Sequence, residues 1–385
     1  MKNYCIITTI DMTMSAFIIE AARYHQRKGF NVTLICSMSD IFYDAYKEEF
    51  DCINLNMSRG TSLLEVFKVS YKLYKIFRNK KFDIVQYATP NAAFYSSIAS
   101  RCANVPNRLY CQWGIRYVGF YGVKRALFKL VEKITCKLST HICSASEKNR
   151  QFAISESLYS CDKSGIIGKG GTIGVNLKEF DLNNKIKYRN EVLADLEIPK
   201  ENFIFGYVGS LRKDKGTNEL LRAFKNLSEN HSNINLLLVG SFFEGDPIES
   251  ELLNWAKSSE FVSFLGTKKH TSLFISSFDV HVHPSYREGF SMVIQEAMAL
   301  KVPVITTNIP GPSEVVENGI SGILVEPHNI AQLEKAMESL YNNRDLSKEL
   351  SQKAYQRCLL YFNRDEMLRL THEDRMRILA SKKGN

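Results

Sequence analysis

Short apolar segments alternate with helical segments along most of this 385-residue chain. The apolar segments at 4–10, 31–36 and 82–87 have the length and composition of buried strands, and helical spacing such as that of 61–78 lies between them. Strand, helix and strand in succession form a βαβ unit with parallel strands. The alternation therefore predicts a parallel sheet with helices on both faces, and a second series of this kind begins at Asn202.

A domain boundary is expected where the alternation is interrupted. Residues 165–175 (GIIGKGGTIGV) are rich in glycine, and a polar, charged stretch follows at 176–187. We predict an α/β fold with two Rossmann-like, doubly wound parallel-sheet domains, over residues 1–180 and 181–362, facing across a cleft. A helical segment over 363–385 is expected to pack back on the first domain. Ligands are expected at the carboxyl ends of the strands.

Composition limits the class of protein. The chain is 44% apolar and 24% charged, which is typical of a globular protein. No apolar run approaches the roughly 18–20 residues of a membrane span, and the first apolar run is too short for a signal peptide, so a cytoplasmic location is expected. The nine cysteines are scattered without C-x-x-C spacing. They indicate free thiols in a reducing compartment and favour neither zinc nor disulfides.

Positive charge is concentrated in the first half of the chain. The net charge is +9, and residues 1–180 contain 25 Lys and Arg against 14 Asp and Glu. An anionic partner is therefore expected there; no recognition motif favours nucleic acid, and an anionic membrane surface fits better. The segment Tyr121–Ser139 mixes apolar and basic residues. It predicts a helix that lies on a membrane surface or, alternatively, an ordinary surface helix with one buried face.

The stretch Asp279–Ala297 (DVHVHPSYREGFSMVIQEA) combines a strand, a loop and the start of a helix. Valines alternate before Pro284, which ends the strand, and Gly289 is expected to turn the backbone tightly. A helix then begins at Phe290 or Ser291. A helix N-terminus in this position presents backbone N–H groups and partial positive charge to an anion.

Glu288 and Glu296 bracket this turn, eight residues apart. At 1.5 Å per residue they would lie roughly 12 Å apart if the segment were helical throughout. Paired carboxylates of a glycoside hydrolase lie about 5–9.5 Å apart, so that class is excluded. The spacing suits two contacts on one long ligand with an anion between them, or else two surface glutamates. His281 and His283 alternate on the strand, and packing or a strand-end hydrogen bond is expected for them rather than a metal site.

The residues that follow complete an ordered set of motifs. In this order and spacing they resemble the C-terminal domain of the retaining family-4 glycosyltransferases, of the group 1 type. The resemblance covers residues 200–345 well and 1–180 more loosely. The motifs are Glu288-Gly-Phe-Ser, Glu296-Ala-Met-Ala, Val302-Pro-Val-Ile, Pro310-Gly311, Glu314-Val-Val and Asn318-Gly-x-x-Gly-x-Leu-Val.

The resemblance implies the GT-B fold, in which the C-terminal domain binds a nucleotide sugar and the N-terminal domain binds the acceptor. It implies that Glu288 contacts hydroxyls of the donor sugar and that Lys215, followed by Gly216, contacts the diphosphate. Where the family usually has an arginine this chain has Ser210, and Arg212 is expected to substitute for it; a solvated basic turn is the alternative. These three, Glu288, Lys215 and Arg212, are the catalytic candidates. The expected donor-binding residues are Glu296 (ribose hydroxyls), Gly209, Ser210, Gly289, Phe290, Ser291 and Met292.

The acceptor side departs from the family pattern. The loop after the first strand lacks glycine, and Asp11–Thr13 is expected to turn the chain before a helix over 14–28. Trp113 stands where relatives often have a histidine, and it can stack on a sugar face or simply be a buried structural residue. The acceptor-side candidates are Trp113, Gln112, Arg116 and Asp11.

Together with these features, the resemblance implies a retaining, metal-independent glycosyltransferase that needs no cofactor. It would move a sugar from a nucleoside-diphosphate sugar, with UDP favoured, to a polyprenyl-diphosphate-linked oligosaccharide in capsule, O-antigen or exopolysaccharide synthesis. The partners would be the donor, a glycan or lipid-linked glycan acceptor and an anionic membrane, without nucleic acid. The alternatives are a soluble or protein acceptor, or an inactive nucleotide-sugar binder. A dinucleotide-dependent enzyme is disfavoured because G-x-G-x-x-G is missing after the first strand.

Overall fold

The structure is a computed structural model that describes residues 1–57 and 63–381. The first two residues of the helix expected over 61–78, and residues 382–385 of the expected C-terminal segment, lie outside the described residues. The chain forms two compact units. Unit 1 contains Met1–Ile173 and the segment that begins at Asp365, and unit 2 is Gly174–Arg364. Each unit contains a parallel sheet flanked by helices, so the prediction of two parallel-sheet α/β domains is confirmed.

The elements of unit 1 follow the predicted alternation. Its strands are β1 (Lys2–Ile10), β2 (Phe30–Ser37), β3 (Asp51–Asn54), β4 (Ile84–Ala88), β5 (Asn107–Gln112), β6 (His141–Ser144) and β7 (Ser164–Gly165). Its helices are α1 (Asp11–Phe17), α2 (Ile19–Arg27), α3 (Asp40–Tyr46), α4 (Leu63–Lys80), α5 (Pro90–Cys102), α6 (Gly122–Leu138), α7 (Glu147–Ser155) and, from the end of the chain, α16 (Arg364–Ala380).

The parallel sheet of unit 1 has the strand order β3-β2-β1-β4-β5-β6-β7. One face packs against α4, α5, α6 and α7 in a core that includes Leu73, Tyr95 and Cys136. The other face packs against α1–α3 and α16 through residues such as Met14 and Ile378. The carboxyl ends of β1, β4 and β5 lie side by side, because these strands are neighbours in the sheet.

The start of unit 1 differs from the sequence prediction. Asp11–Thr13 is not a separate turn but the first turn of α1, where an acidic residue is favourable because of the helix dipole. The single helix predicted over 14–28 is interrupted at Ile18, so that α1 and α2 are distinct helices.

The last helix, α16, packs on unit 1 through a buried arginine. Arg375 donates hydrogen bonds to the side chains of Gln86 on β4 and Tyr4 on β1, at 2.9 Å and 3.2 Å. The remaining nitrogen of the guanidinium, Nη1, lies 2.5 Å from Oδ2 of Asp374. A buried guanidinium needs such partners, since an unpaired buried charge is strongly destabilising. The first strand and the last helix are therefore joined in one core.

Unit 2 repeats the architecture. Its strands are β8 (Phe203–Val208), β9 (Ile234–Val239), β10 (Val262–Gly266), β11 (Val280–His283), β12 (Val304–Thr307) and β13 (Ile323–Val325), in the order β10-β9-β8-β11-β12-β13. Its helices are α8 (Lys185–Asp195), α9 (Thr217–Ser228), α10 (Ser250–Ser258), α11 (Thr271–Ile275), α12 (Met292–Ala299), α13 (Pro312–Val315), α14 (Ile330–Asn342) and α15 (Arg344–Tyr361).

The central strands of unit 2 are completely buried, which explains their continuous apolar sequences. Strands β8 and β11 are neighbours, with Val280 paired to Phe205. The loops that follow these two strands therefore meet at one edge of the sheet. Within residues 1–57 and 63–381, no helix is long and apolar enough to span a bilayer, and no group of three or more potential metal ligands is found.

Candidate active site

The loop after β8 begins with a close approach of two backbones. Gly209 has a φ of +154°, and a Cβ on Gly240, the residue after β9, would lie 1.8 Å from the carbonyl oxygen of Gly209. The Ser210 carbonyl accepts a hydrogen bond of 3.0 Å from the hydroxyl of Tyr207. Gly209 and Ser210 thus lie at the carboxyl end of a central strand, where a ligand of an α/β sheet is expected.

The next turn delivers Lys215 to the same edge. Residues Lys213–Lys215 form a short 3₁₀ helix, and Gly216 then adopts a left-handed φ of +70° before α9. A Cβ on Gly216 would lie 2.0 Å from the carbonyl oxygen of Pro284, the residue after β11. Only glycine fits this position, so the approach of the two loops requires the glycine of the Lys-Gly pair.

Glu288 accepts two hydrogen bonds on one oxygen. Its Oε1 lies 2.5 Å from Nζ of Lys215 and 2.9 Å from Nε2 of His283. Burial by itself would raise the pKa of Glu288, but the ammonium of Lys215 and the hydrogen bond from His283 outweigh it and hold the pKa well below its usual range. Glu288 is therefore ionised at neutral pH, and an ionised carboxylate only accepts hydrogen bonds, so Nε2 of His283 carries the proton.

His283 is a site residue that the sequence did not reveal. The ring is buried at the end of β11 and stacks on Tyr207 at 6.1 Å between centroids, with 13° between the ring planes. The hydrogen bond to Glu288 is a strand-end hydrogen bond of the kind expected for this histidine. The signal that could have identified it is its place at the end of a central strand, five residues before the glutamate.

Arg212 belongs to a second charged group beside Lys215. Its Nε lies 2.7 Å from Oδ1 of Asp214, and its guanidinium lies over the ring of Phe243 at 5.1 Å. Oδ2 of Asp214 lies 3.3 Å from Nη2 of Arg287, another residue that the sequence analysis missed. Asp214 thus holds two arginines, one from each loop, close to the Lys215–Glu288 pair.

The segment after Glu288 differs from the predicted glycine turn. The helix α12 begins at Met292 with Ser291 as its N-cap, so residues 288–291 are not helical and the estimate of roughly 12 Å between the two glutamates does not apply. Gly289 does not have a positive φ. The glycine with a left-handed conformation is Gly311, with φ +94°, and a Cβ there would lie 2.3 Å from the Gly289 carbonyl oxygen.

The remaining donor-side candidates lie on or beside α12. Phe290 is buried and contacts Phe362 edge to face at 5.6 Å, while Ser291 is buried and Met292 is partly exposed. Glu296 is half-buried on the helix. Burial and the nearby carboxylate of Glu179 raise its pKa to about 7, against the opposing effects of Arg364 and a hydrogen bond from Thr271. The structure therefore gives the two glutamates opposite electrostatic environments.

The acceptor-side candidates lie on unit 1 at the end of β5 or in the segments that follow β1 and β5. Asp11 accepts hydrogen bonds from the backbone nitrogen and hydroxyl of Ser39, at 2.9 Å and 2.6 Å. Trp113 is partly buried and packs against Phe17, with ring centroids 5.4 Å apart. Both residues follow strands that flank β4, so they lie at the same edge of the sheet.

Two further acceptor-side candidates contact the helix layer or the core. Arg116 lies over the ring of Phe128 at 4.6 Å. Gln112 is buried; its amide donates to Glu132 at 2.6 Å and its carbonyl oxygen accepts from Tyr159 at 2.9 Å. Both ends of the Gln112 amide are already bonded inside the core. Trp113, Arg116 and Asp11 therefore fit a ligand-binding role better than Gln112 does.

The charged residues around the Lys215–Glu288 pair in unit 2 can bind an anion and a polyol side by side. Lys215, Arg212 and Arg287 supply positive charge, while Glu288 keeps a second carboxylate oxygen that can accept from hydroxyl groups. This combination suits a sugar attached to a diphosphate. The roles assigned to these residues from the sequence stay predictions.

Comparisons with known proteins identify the family. The family described as "Glycosyl transferases group 1" matches residues 189–357, and that described as "Glycosyl transferase 4-like" matches residues 7–146. The capsular polysaccharide biosynthesis glycosyltransferase CapM of Staphylococcus aureus is 33% identical over 356 residues, which cover 91% of each chain. The chain therefore belongs to the group 1 glycosyltransferases, as the motifs predicted, and it is an enzyme of that class.

A second relative and a solved structure extend the comparison. The UDP-Gal:alpha-D-GlcNAc-diphosphoundecaprenol alpha-1,3-galactosyltransferase of Escherichia coli is 25% identical over 331 residues, covering 83% of this chain and 82% of the relative. The crystal structure of HepE from Anabaena in complex with UDP-glucose matches with a TM-score of 0.79 at 17% identity, covering 98% of this chain and 100% of HepE. That likeness shows a shared GT-B fold.

Proposed function

We propose that this glycosyltransferase moves a sugar from a nucleoside-diphosphate sugar, with UDP favoured, to a polyprenyl-diphosphate-linked oligosaccharide in the synthesis of a surface polysaccharide, with retention of anomeric configuration. The observation that carries the proposal is the Lys215–Glu288–His283 cluster at the carboxyl edge of the unit 2 sheet, beside Arg212 and Arg287. The names of the S. aureus and E. coli relatives support the pathway and the acceptor, and the latter name supports UDP.

In this proposal the bond between the anomeric carbon and the diphosphate oxygen breaks, and its electrons leave with the diphosphate. Lys215 and Arg212 stabilise the negative charge that develops on that leaving group. The acceptor hydroxyl oxygen bonds to the same carbon from the same face, and its proton passes to the departing phosphate oxygen. Glu288 orients the donor sugar through its hydroxyls, and Glu296 accepts from the ribose hydroxyls.

Unit 1 would hold the acceptor near Trp113, Arg116 and Asp11. An aromatic ring can stack on the apolar face of a sugar, and an arginine can pair with a phosphate. These residues follow the strands at the edge of the sheet where an α/β domain binds its ligand.

The test has two stages. A thermal-shift screen with UDP-, GDP- and dTDP-sugars identifies the donor, and we expect the largest stabilisation with a UDP-sugar. The selected donor is then incubated with a polyprenyl-diphosphate-linked sugar or with a free oligosaccharide, and the product is analysed by mass spectrometry and by NMR of the new linkage. A lipid-linked product with the donor's anomeric configuration is expected. Transfer only to the free oligosaccharide, or full activity of Glu288→Ala, would overturn the proposal.

A further inference from the structure

Helix α4 exposes apolar side chains on the side that faces away from its core. Its inner face is formed by buried residues such as Val69 and Leu73. On the outer face Leu64 is 84% exposed and Phe67 is 73% exposed, with Tyr71 one turn further along. The spacing of three, then four residues places these three side chains in one stripe. A surface helix of a globular domain normally has one apolar face, which packs on the core. The exposed stripe gives α4 a second apolar face.

Helix α6 has the same organisation. Tyr121, at its N-cap, is 90% exposed and Val123 is 87% exposed. Leu127 and Leu130 continue the stripe at spacings of four and three and are also exposed. Exposed large apolar side chains that occur singly are ordinary, but a contiguous group marks an interaction surface.

The two stripes belong to one layer of helices. The helix α5 packs between α4 and α6, and all three contribute to the same core on one face of the unit 1 sheet. On α5 itself the half-buried Phe94 and Ile98 continue the apolar character between the two outer helices. We call the outward side of these helices the α4–α6 surface; it is defined by Leu64, Phe67, Tyr71, Val123, Leu127 and Leu130.

Positive charge surrounds these apolar residues. Exposed basic side chains on the two helices are Lys68, Lys72, Lys75, Arg78, Lys124, Lys133 and Lys137; Lys80 at the end of α4 is also exposed but pairs with Asp51. The two acidic residues within α4 and α6 do not balance them: Glu132 is buried among Tyr110 and Gln112, and Glu65 is half-buried. The α4–α6 surface therefore presents apolar side chains surrounded by positive charge.

We propose that the α4–α6 surface binds the anionic headgroup region of a lipid bilayer, with its aromatic and aliphatic side chains entering the interface. Lysines around an apolar helix face are the combination that attaches a peripheral protein to anionic lipid, because charge attracts it and apolar burial holds it. A second copy of the chain is disfavoured as the occupant, since self-pairing would bring lysines against lysines. The inference rests on this surface alone, so it stands or falls separately from the donor and acceptor proposed above.

The experiment is flotation of the full chain with vesicles of phosphatidylcholine, alone or mixed with phosphatidylglycerol, at low and at high salt. We expect binding to the mixed vesicles only, with a loss of about tenfold or more in the partition coefficient at high salt, because exposed charges are screened. Equal binding to both vesicle types, or no binding to either, would overturn the proposal.

Two variants locate the contact. Val123→Ser/Leu127→Ser removes apolar side chains and Lys124→Glu/Lys133→Glu reverses charge; all four positions are exposed, so the fold should be kept. Each variant is expected to reduce partition into the mixed vesicles about tenfold or more. Unchanged partition with both variants would contradict the assignment of this surface.

A matched control carries the same charge change elsewhere. Lys335→Glu/Lys353→Glu alters two exposed lysines on α14 and α15 of unit 2 and should bind vesicles like the parent chain. A loss in this control equal to that of Lys124→Glu/Lys133→Glu would mean that net charge alone is responsible and would overturn the proposal. Sedimentation without lipid tests the other occupant: a dimer that Val123→Ser/Leu127→Ser dissociates, without vesicle binding by the parent chain, would assign the surface to a second copy instead.

Discussion

Lys215 and Glu288 form an ion pair in which Nζ lies 2.5 Å from Oε1, although 73 residues separate them in the chain. They meet because each lies in the loop that follows one of two neighbouring strands, β8 and β11. His283 donates to the same oxygen, so the other carboxylate oxygen of Glu288 keeps its capacity to accept from a ligand. The pair thus places a cation next to a hydrogen-bond acceptor, which is the combination that the proposed sugar diphosphate requires.

Replacing Lys215 by Ala should reduce transfer about 10²–10³-fold, because one preorganised positive charge beside the leaving diphosphate would be lost. The readout is kcat for transfer at saturating donor. Lys213→Ala is the matched control, since Lys213 is exposed in the same 3₁₀ turn. Similar rates for both variants would show that Lys215 has no special role.

Replacing His283 by Phe should reduce kcat roughly 10- to 150-fold, the equivalent of a lost hydrogen bond to a charged group, about 1.5–3 kcal/mol. His283→Gln keeps an N–H donor and should restore most of the activity. A role limited to packing predicts the opposite order, because Phe fills the buried space beside Tyr207 better than Gln does. Steady-state kinetics of the two variants, with their melting temperatures, decides between them.

Gly216→Ala should destabilise the protein more than Gly319→Ala. Both glycines have a left-handed backbone, with φ of +70° and +71°. A Cβ at Gly319 meets open space, so that variant shows the conformational cost alone, about 1–2 kcal/mol. At Gly216 the Cβ meets the Pro284 carbonyl, which adds about 1–3 kcal/mol. Urea unfolding of both variants measures the difference, and equal losses would contradict the close approach of the two loops.

Glu296 should make unfolding free energy depend on pH between about 4.5 and about 7. Its pKa in the folded chain is raised, so the folded state holds a proton that the unfolded state has released, and stability falls as pH rises through this range. Glu296→Gln cannot ionise and should lose this dependence. The melting temperature of the variant relative to the parent should therefore rise from pH 4.5 to 7 and then level off. Glu338→Gln removes an exposed carboxylate on α14 and is the control; an equal rise in both variants would contradict the assignment to Glu296.

Chelation by EDTA should leave transfer unchanged, because the proposal assigns the charge of the leaving diphosphate to Lys215 and Arg212 rather than to a divalent cation. The measurement compares initial rates with EDTA and with added Mg²⁺ or Mn²⁺. Loss of transfer in EDTA that returns with a cation would contradict this assignment.

The sequence predicted the strand–loop–helix units and the two glutamates, because apolar periodicity and short motifs are local signals. It did not predict how the loops approach each other. Gly289 was expected to provide the tight turn, but the left-handed glycine is Gly311, whose need for glycine comes from a backbone more than twenty residues away. Arg287 was missed for the same reason, because its partner Asp214 lies 73 residues earlier in the chain. His283 was missed as a site residue although Glu288 is only five residues away, because the sequence does not show how the loop between them folds.

Polarity in the sequence was also an incomplete guide on unit 1. Gln112 was selected as a polar residue beside Trp113, yet its amide is hydrogen-bonded to Glu132 and Tyr159 inside the core. Successive side chains on a strand point to opposite faces of the sheet. The sequence alone does not show which face carries a buried hydrogen-bond network.

The buried contact of Arg375 with Tyr4 and Gln86 has a consequence for the order of events during protein synthesis. Unit 2 is one uninterrupted segment, Gly174–Arg364, and all of it leaves the ribosome before Arg375 does. Unit 1 cannot complete its core until α16 emerges, because β1 and β4 wait for a partner that is made after all of unit 2. The unit that begins first is therefore completed after unit 2, and a chain truncated after Arg364 would contain all of unit 2 but lack the helix that completes the core of unit 1.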